Sequence, residues 1–302
     1  VYACGIDIGG TKIAGGLVSE QGEIVHRLEV PTDPSDVGAI VDAVAELVIE
    51  LGSNEVLSTV GVGAAALINR SRDRVFFAPN VVWSDFPLKA ALEEKLGRSV
   101  HLDNDANAAG WAEFQFGAAR DASSMVMVTM GTGVGGAIVD DGRLLAGGFG
   151  AAGEVGHIII EPGGLLCGCG NRGCLEQYAS GTALMREARE RLGNETLNTD
   201  ELAMLLLSGD LPALSVFQDV CDAMGRGITS LVAVTDPEIV VIGGGVAVAG
   251  TLLTDLITAS FGAHYGPYAR RPVPKIVLAT LGNSAGVVGA ADLARRAESV
   301  GA

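Results

Sequence analysis

The chain opens with three apolar stretches separated by short polar breaks: YACGIDI (2–8), KIAGGLV (12–18) and EIVHRLEV (23–30). Each has the length of a strand, and the intervening GGT and SEQG segments carry residues that form turns. The pattern then changes. VGAIVDAVAELVIEL (37–51) spaces its apolar residues for one face of a helix. TVGVGAA (59–65) predicts a strand, PLKAALEEKL (87–96) a helix, SVHLD (99–103) a strand and DANAAGWAEFQF (105–116) a helix. Three strands followed by alternating helices and strands predict an α/β domain.

The pattern begins again further on. SMVMVTMGTGVGGAIVDDGRLLAG (124–147) matches GIDIGGTKIAGGLVSEQGEIV (5–25) feature by feature: buried strand, Gly/Thr turn, Gly-rich strand, polar turn, third strand. A long helical stretch (214–235), a strand (238–244), a helix near 251–261, a strand (275–280) and a final helix (284–297) follow. Two copies of one topology predict a duplicated α/β fold of two domains with a ligand cleft between them. The expected boundaries are 1–110 plus 284–302 for a small domain and 111–283 for a large one.

A length of 302 residues suits about two domains. The formal charge of −16 argues against a nucleic-acid surface, which needs clustered Lys and Arg, and favours small-molecule partners. The most apolar region, IVVIGGGVAVAG (239–250), is broken by glycines and too short to span a bilayer, so no membrane partner is expected. VYACGIDIGGTK has no basic lead-in and no cleavage site, so no secretory signal is visible and a cytoplasmic location is expected.

The 43 glycines imply turns where backbone approaches a ligand. DIGGTK (7–12) puts Asp7 at the end of an apolar strand, before Gly9 and Gly10, whose N–H groups can form an anion nest. Thr11 adds a hydroxyl and Lys12 a cation. MGTGVGG (130–136) repeats the arrangement with Gly131, Thr132 and Gly133. IGGGVAVAG (242–250) carries Gly243, Gly244 and Gly245 from a strand toward a helix, where a base or a phosphate can lie. One such turn is ordinarily a hairpin, and Asp7 alone could be a turn-capping carboxylate. Three turns, two of them in matching positions, point to nucleotide phosphates. None is a Walker A loop or a GxGxxG fingerprint.

Three of the five cysteines fall in CGCGNRGCLE (167–176), ten residues after a histidine in GEVGHIII. An odd total argues against a disulfide framework. His157, Cys167, Cys169 and Cys174 make a Cys₃His set typical of structural zinc, against the alternative of buried thiols and a core histidine. Cys4 and Cys221 lie in apolar surroundings and are expected to be core residues. With one nitrogen of His157 on metal, the other is oriented toward a ligand. Glu154 and Glu176 flank the loop. Two carboxylates and an imidazole suit a ring of sugar hydroxyls, the alternative being solvated surface charges.

LDNDAN (102–107) leaves a strand and enters a helix. Asp105 at a helix start is commonly just an N-cap. Its place at a strand end of an α/β sheet instead makes it a candidate base for a hydroxyl attacking a γ-phosphate, with Asn104 as a sugar partner and Asp103 as a competing acid.

DIGGTK, LDNDAN, GTGVGG, GEVGH and CGCGNRGCLE, in that order over essentially the whole chain, resemble the ROK family of sugar kinases and sugar-responsive repressors. LEQYASGTAL (175–184) looks most like the family's bacterial ATP-dependent glucokinases. The resemblance implies an actin-like, ribonuclease H-like, hexokinase-type fold with ATP, Mg²⁺ and a structural Zn²⁺. By it Asp105 is the base, Asn104, Glu154, His157 and Glu176 hold the sugar, and Asn80 in APNVVW is a further sugar contact. Thr11, Thr132 and the glycines at 131–133 and 243–245 match the nucleotide side. Where relatives often carry Pro-Gly after GVG, this chain has Ala64 and Ala65, whose backbone contacts to the sugar are expected to survive.

The expected activity is transfer of the γ-phosphate of ATP to the 6-hydroxyl of glucose. The alternatives are mannose, fructose or an N-acetyl-hexosamine as substrate, polyphosphate as donor, or a sugar-sensing protein without catalysis. Family repressors carry a helix-turn-helix ahead of the sugar domain, and DIGGTK begins here at residue 7. A homodimer or homotetramer is the family expectation.

Overall fold

The computed structural model describes residues 1–53, 55–78, 81–266, 270 and 272–301, with 298–301 by backbone alone. The chain divides into two compact units: Val1–Asp121, Ala137–Gly153 and Thr280–Ala302 in the first, Ala122–Gly136 and Glu154–Ala279 in the second.

The first sheet is built from β1 (Tyr2–Ile8), β2 (Lys12–Val18), β3 (Ile24–Pro31), β4 (Leu57–Ala64) and β8 (His101–Asn104), in the order β3-β2-β1-β4-β8. β1 pairs antiparallel with β2 and parallel with β4, which pairs parallel with β8. The register sets Asp7 beside Gly63 and Ala64 beside Asn104, so three parallel strands end side by side. α1 (Val37–Leu51) begins at Asp36, whose side chain accepts the Ala39 N–H, and buries Ile40, Val41, Val44, Leu47, Val48 and Leu51. That is the apolar face the sequence spacing predicts.

A small antiparallel sheet, β5 (Leu67–Ile68), β6 (Val75–Phe77) and β7 (Ser84–Phe86), has no counterpart in the sequence reading. Its strands are two or three residues long, too short for periodicity to show. α2 (Leu88–Leu96) and α3 (Asp105–Phe116) follow.

α9 (Ala285–Gly301) lies against the first sheet so closely that glycine is required there. A Cβ on Gly5 would collide with the carbonyl of Val287, and one on Gly61 with that of Ala290. Val287, Val288 and Ala291 complete a core with Ala3, Ala14, Val18 and Ala112.

The second sheet repeats the first. β9 (Met125–Met130), β10 (Val134–Asp140), β11 (Arg143–Leu144), β12 (Ile239–Gly243) and β13 (Lys275–Leu278) run in the order β11-β10-β9-β12-β13. β9, β12 and β13 are parallel, and the first three strands of each half occupy equivalent places. The helices around it are α4 (Glu176–Ala179), α5 (Gly181–Leu192), α6 (Thr199–Ser208), α7 (Leu211–Thr235) and α8 (Thr251–Tyr265). Among the described residues no single helix is long and apolar enough to cross a membrane.

Candidate active site

In the first unit the candidate groups gather where β1, β4 and β8 end, the edge at which open α/β sheets bind ligands. Asn104, not Asp105, caps α3: its Oδ1 accepts the Asn107 N–H at 3.0 Å. Its Nδ2 donates to Asp105 Oδ1 at 3.1 Å and to the Ala66 carbonyl at 3.2 Å. Asp105 is therefore the first helical residue, with its carboxyl oriented by its neighbour. Burial raises its pKa above the usual aspartate value, while the N–H groups of Ala106 and Asp105 and the Asn104 amide pull the other way.

Asp7 shares this edge. Burial, and secondly the charge of Asp105, push its pKa up to about 7, against the opposing pull of Arg27 and Lys12. Two carboxylates crowded together are a donor set for a hard cation, which favours oxygen ligands. The DIGGTK turn closes through the Gly9 N–H to the Lys12 carbonyl at 3.0 Å, with Gly10 half-buried and Thr11 exposed. The Lys12 ammonium is paired with Glu29 at 3.1 Å. Ala64 is buried, and the Ala65 N–H donates to the Ile8 carbonyl at 3.2 Å. Asn80 lies outside the described residues.

Asp103 is a different kind of acid. It is 3% exposed and sits 3.2 Å from the Arg72 guanidinium, so its charge is committed inside the fold.

In the second unit two glycine turns meet. Gly243 lies beside Thr129, which brings the run Gly243–Gly245 next to Gly131, Thr132 and Gly133. Gly133 packs against the carboxylate of Glu176, which a Cβ there would displace. That carboxylate accepts the Val134 N–H at 3.1 Å. The start of α5 completes the turn: Gly181 N–H donates to the Gly131 carbonyl at 2.8 Å, and Thr182 Oγ1 to the Thr132 carbonyl at 2.7 Å. Both residues escaped the sequence reading, although SGT sits within the quoted LEQYASGTAL. A cavity of about 1660 Å³ opens here, lined by Gly131, Thr132, Thr182, Phe217, Gly245 and Val246 among others. Its mixture of backbone donors and apolar wall suits a nucleotide.

The ligating atoms of His157, Cys167, Cys169 and Cys174 all lie within 4.8 Å of one another. Cys169 and Cys174 sulfurs are 3.6 Å apart, and Cys167 Sγ is 3.7 Å from His157 Nδ1. A tetrahedral zinc with bonds of about 2.3 Å to sulfur needs thiolates roughly 3.8 Å apart, so the four residues fit the ion. Cys167 Sγ also lies 3.7 Å from Glu176 Oε1, a crowding of acidic groups that a cation relieves. Glu154 precedes the 3₁₀ turn Val155–His157 and is exposed. Cys4 and Cys221 are fully buried, and burial pushes both thiols up to about 12, which makes them inert core residues.

Comparison with known proteins agrees with this arrangement. Residues 3–297 match the ROK family. The chain is 41% identical to a glucokinase of Streptomyces coelicolor, over 98% of each chain. Its fold superposes on a ROK family glucokinase from Streptomyces griseus, solved with glucose and AMPPNP, at a TM-score of 0.90 and 39% identity, over 98% of this chain and 100% of that one. A ROK hexokinase from Thermus thermophilus matches at a TM-score of 0.88 and 35% identity, over 99% and 100%. The duplicated sheets, the hexokinase-type two-domain fold and the Cys₃His loop thus have one source: the chain belongs to the ROK family.

Proposed function

We propose that the protein is an ATP-dependent glucokinase, transferring the γ-phosphoryl group of ATP to the 6-hydroxyl of glucose. The observation that carries the reaction class is the start of α3. Asn104 takes the capping role and its amide orients the Asp105 carboxylate at the strand end. In this reading Asp105 accepts the proton of the 6-hydroxyl as its oxygen bonds to the γ-phosphorus. The bond from phosphorus to the bridging oxygen breaks, and ADP leaves. Catalysis of this kind rests mainly on positioning and charge stabilisation.

The choice of glucose and ATP is supported by the glucokinase relatives and by the glucose and AMPPNP held in the Streptomyces griseus enzyme. Glu154, His157 and Glu176 are assigned to the sugar hydroxyls, together with the remaining lone pair of Asn104 Oδ1, backbone at Ala64 and Ala65, and Asn80. Gly131–Gly133, Gly243–Gly245, Gly9, Gly10, Thr11 and Lys12 are assigned to the nucleotide. Asp7 is the carboxylate for Mg²⁺, which when bound to ATP neutralises phosphate charge. The Cys₃His set would hold a structural Zn²⁺ and fix His157 and the adjoining Glu176.

The domains proposed for this chemistry are 1–110 with 284–302, and 111–283. Cytoplasmic location and a homodimer or homotetramer are part of the same proposal, and light scattering tests the latter. The substrate is tested by ADP release from MgATP with glucose, mannose, fructose, N-acetylglucosamine and N-acetylmannosamine. Turnover with glucose far above the rest is the expected result. Preference for another sugar would correct the substrate, and no turnover while glucose binds would overturn the kinase.

A further inference from the structure

β5 and β6 are joined by the turn NRSRDR (69–74), which Asn69 organises. The Asn69 Oδ1 accepts the N–H groups of Asp73 and Arg74, both at 3.1 Å, and the Asn69 carbonyl accepts the Arg72 N–H at 3.0 Å. Arg72 is thereby held at φ 57°, in the left-handed region that a non-glycine residue enters at a cost. An exposed turn has no need of an arginine in that conformation.

What the conformation achieves is visible at the other end of the side chain. The side chain is 14% exposed and its Nη1 lies 3.2 Å from Asp103 Oδ1. That same oxygen accepts the Asn104 N–H at 2.7 Å and the Asn107 Nδ2 at 3.0 Å. Asn107, itself buried, donates its N–H to Asn104 Oδ1, and Asn104 in turn donates to Asp105. Asp103 is thus the fixed point from which the residue beside the base is oriented on two sides.

A buried carboxylate in that position needs a countercharge. His101 Nε2 stands 3.9 Å away, but burial holds its pKa below the usual histidine value against the upward pull of the Asp103 carboxylate, with Arg72 and Lys89 adding to the effect of burial. The imidazole is neutral in the neutral pH range, which leaves Arg72 as the cation on Asp103.

We infer that Arg72 is a positioning residue for phosphoryl transfer: its charge holds Asp103, and through Asn107 and Asn104 the orientation of the Asp105 carboxylate. The inference rests on the kinase reading above. It predicts a defect that falls mainly on kcat, with ATP affinity spared and the glucose KM moved far less than the rate, because Arg72 reaches Asn104 and Asp105 only through Asp103. A misplacement of reacting groups by about 1 Å can cost on the order of a hundredfold in rate.

The test compares Arg72→Lys, Arg72→Gln and Arg72→Gly in the full-length protein, with kcat and both KM values measured for glucose and ATP and folding checked by urea midpoint. Arg72→Gln removes the cation at similar size, and Arg72→Gly also releases the left-handed strain. The expected result is a loss of about 10–100-fold in kcat for both, with each KM within about threefold of the parent. Arg72→Lys, which keeps the charge, recovers most of the loss. Equal kcat in Lys and Gln variants, or an Arg72→Gly variant as active as the parent, would overturn the inference alone. Should Arg72→Gly fail to fold, the Lys and Gln pair decides. A parent protein with no sugar-kinase turnover would overturn the kinase reading and this inference together.

Discussion

Asp7→Asn is the substitution whose effect on stability is most closely fixed by the structure. Asp7 is the penultimate residue of β1, and its carboxyl is carried from 3.8 up to about 7, chiefly by burial and then by the charge of Asp105. An acid whose folded-state pKa is raised binds its proton more tightly in the native than in the unfolded chain. Stability contributed by the protonated form is therefore complete only below pH 3.8 and is lost progressively as pH rises through about 7. Each tenfold change in proton affinity is about 1.4 kcal/mol, so ionised Asp7 costs the fold on the order of 4 kcal/mol as an upper bound, and about 2 kcal/mol once local relaxation is allowed.

Asparagine keeps the shape and cannot ionise. Urea unfolding of parent and Asp7→Asn at pH 3.5, 6, 7 and 8 should therefore show little difference at the acid end. A gap of about 2–4 kcal/mol in favour of the variant should open by pH 8. The same variant should lose kinase activity, since a group retained at such a cost to stability is retained for function. A parent–variant difference that stays constant across the pH range would refute the reasoning.

Four further outcomes follow from the same geometry. Glu113 is fully buried and accepts the N–H groups of Ala118, Thr280 and Leu281 at 2.7–2.8 Å, so Glu113→Gln, which turns an amide toward donors, should cost about 2–4 kcal/mol in urea unfolding. Gly61→Ala should cost about 3 kcal/mol, because the new methyl meets the Ala290 carbonyl on α9. Elemental analysis should find zinc equimolar with the chain, and a strong chelator or Cys169→Ser should lower Tm; a zinc-free protein of unchanged Tm would contradict the site. Burial raises Asp105, so kcat/KM for glucose should fall on acidification with its acid limb above the usual aspartate value of about 3.9, whereas a limb at or below that value would contradict the assignment.

Much of this was legible in the sequence because the long elements obey simple periods. The apolar runs at 2–8, 12–18 and 59–65 became β1, β2 and β4, and the repeat at 124–147 became β9, β10 and β11, three strands of a second sheet of the same strand order. The Cys₃His cluster was legible too, since its ligands lie within eighteen residues and glycines let the loop close. Asp105 against Asn104 was harder. Both can cap a helix, and only the fold decides that Asn104 takes the Asn107 N–H. Asp103 could not be set aside from sequence, because its partner Arg72 lies in a turn thirty-one positions earlier. The contacts of Gly181 and Thr182 with the second glycine turn are likewise long-range. Local pattern carries the elements, whereas the charge partners that decide a carboxylate's role come from elsewhere in the chain.

The central claim is that Asp105 is the base of a glucose kinase, and Asp105→Asn tests it most directly. The substitution keeps size and the neighbouring amide while removing the proton acceptor, and a positioned general base contributes about 10²–10⁴-fold. The measurement is kcat for glucose phosphorylation beside glucose Kd by calorimetry, in parent and variant. The account predicts a fall in kcat of at least about a hundredfold with Kd within about threefold of the parent. A variant that binds glucose and still turns over within tenfold of the parent would contradict it.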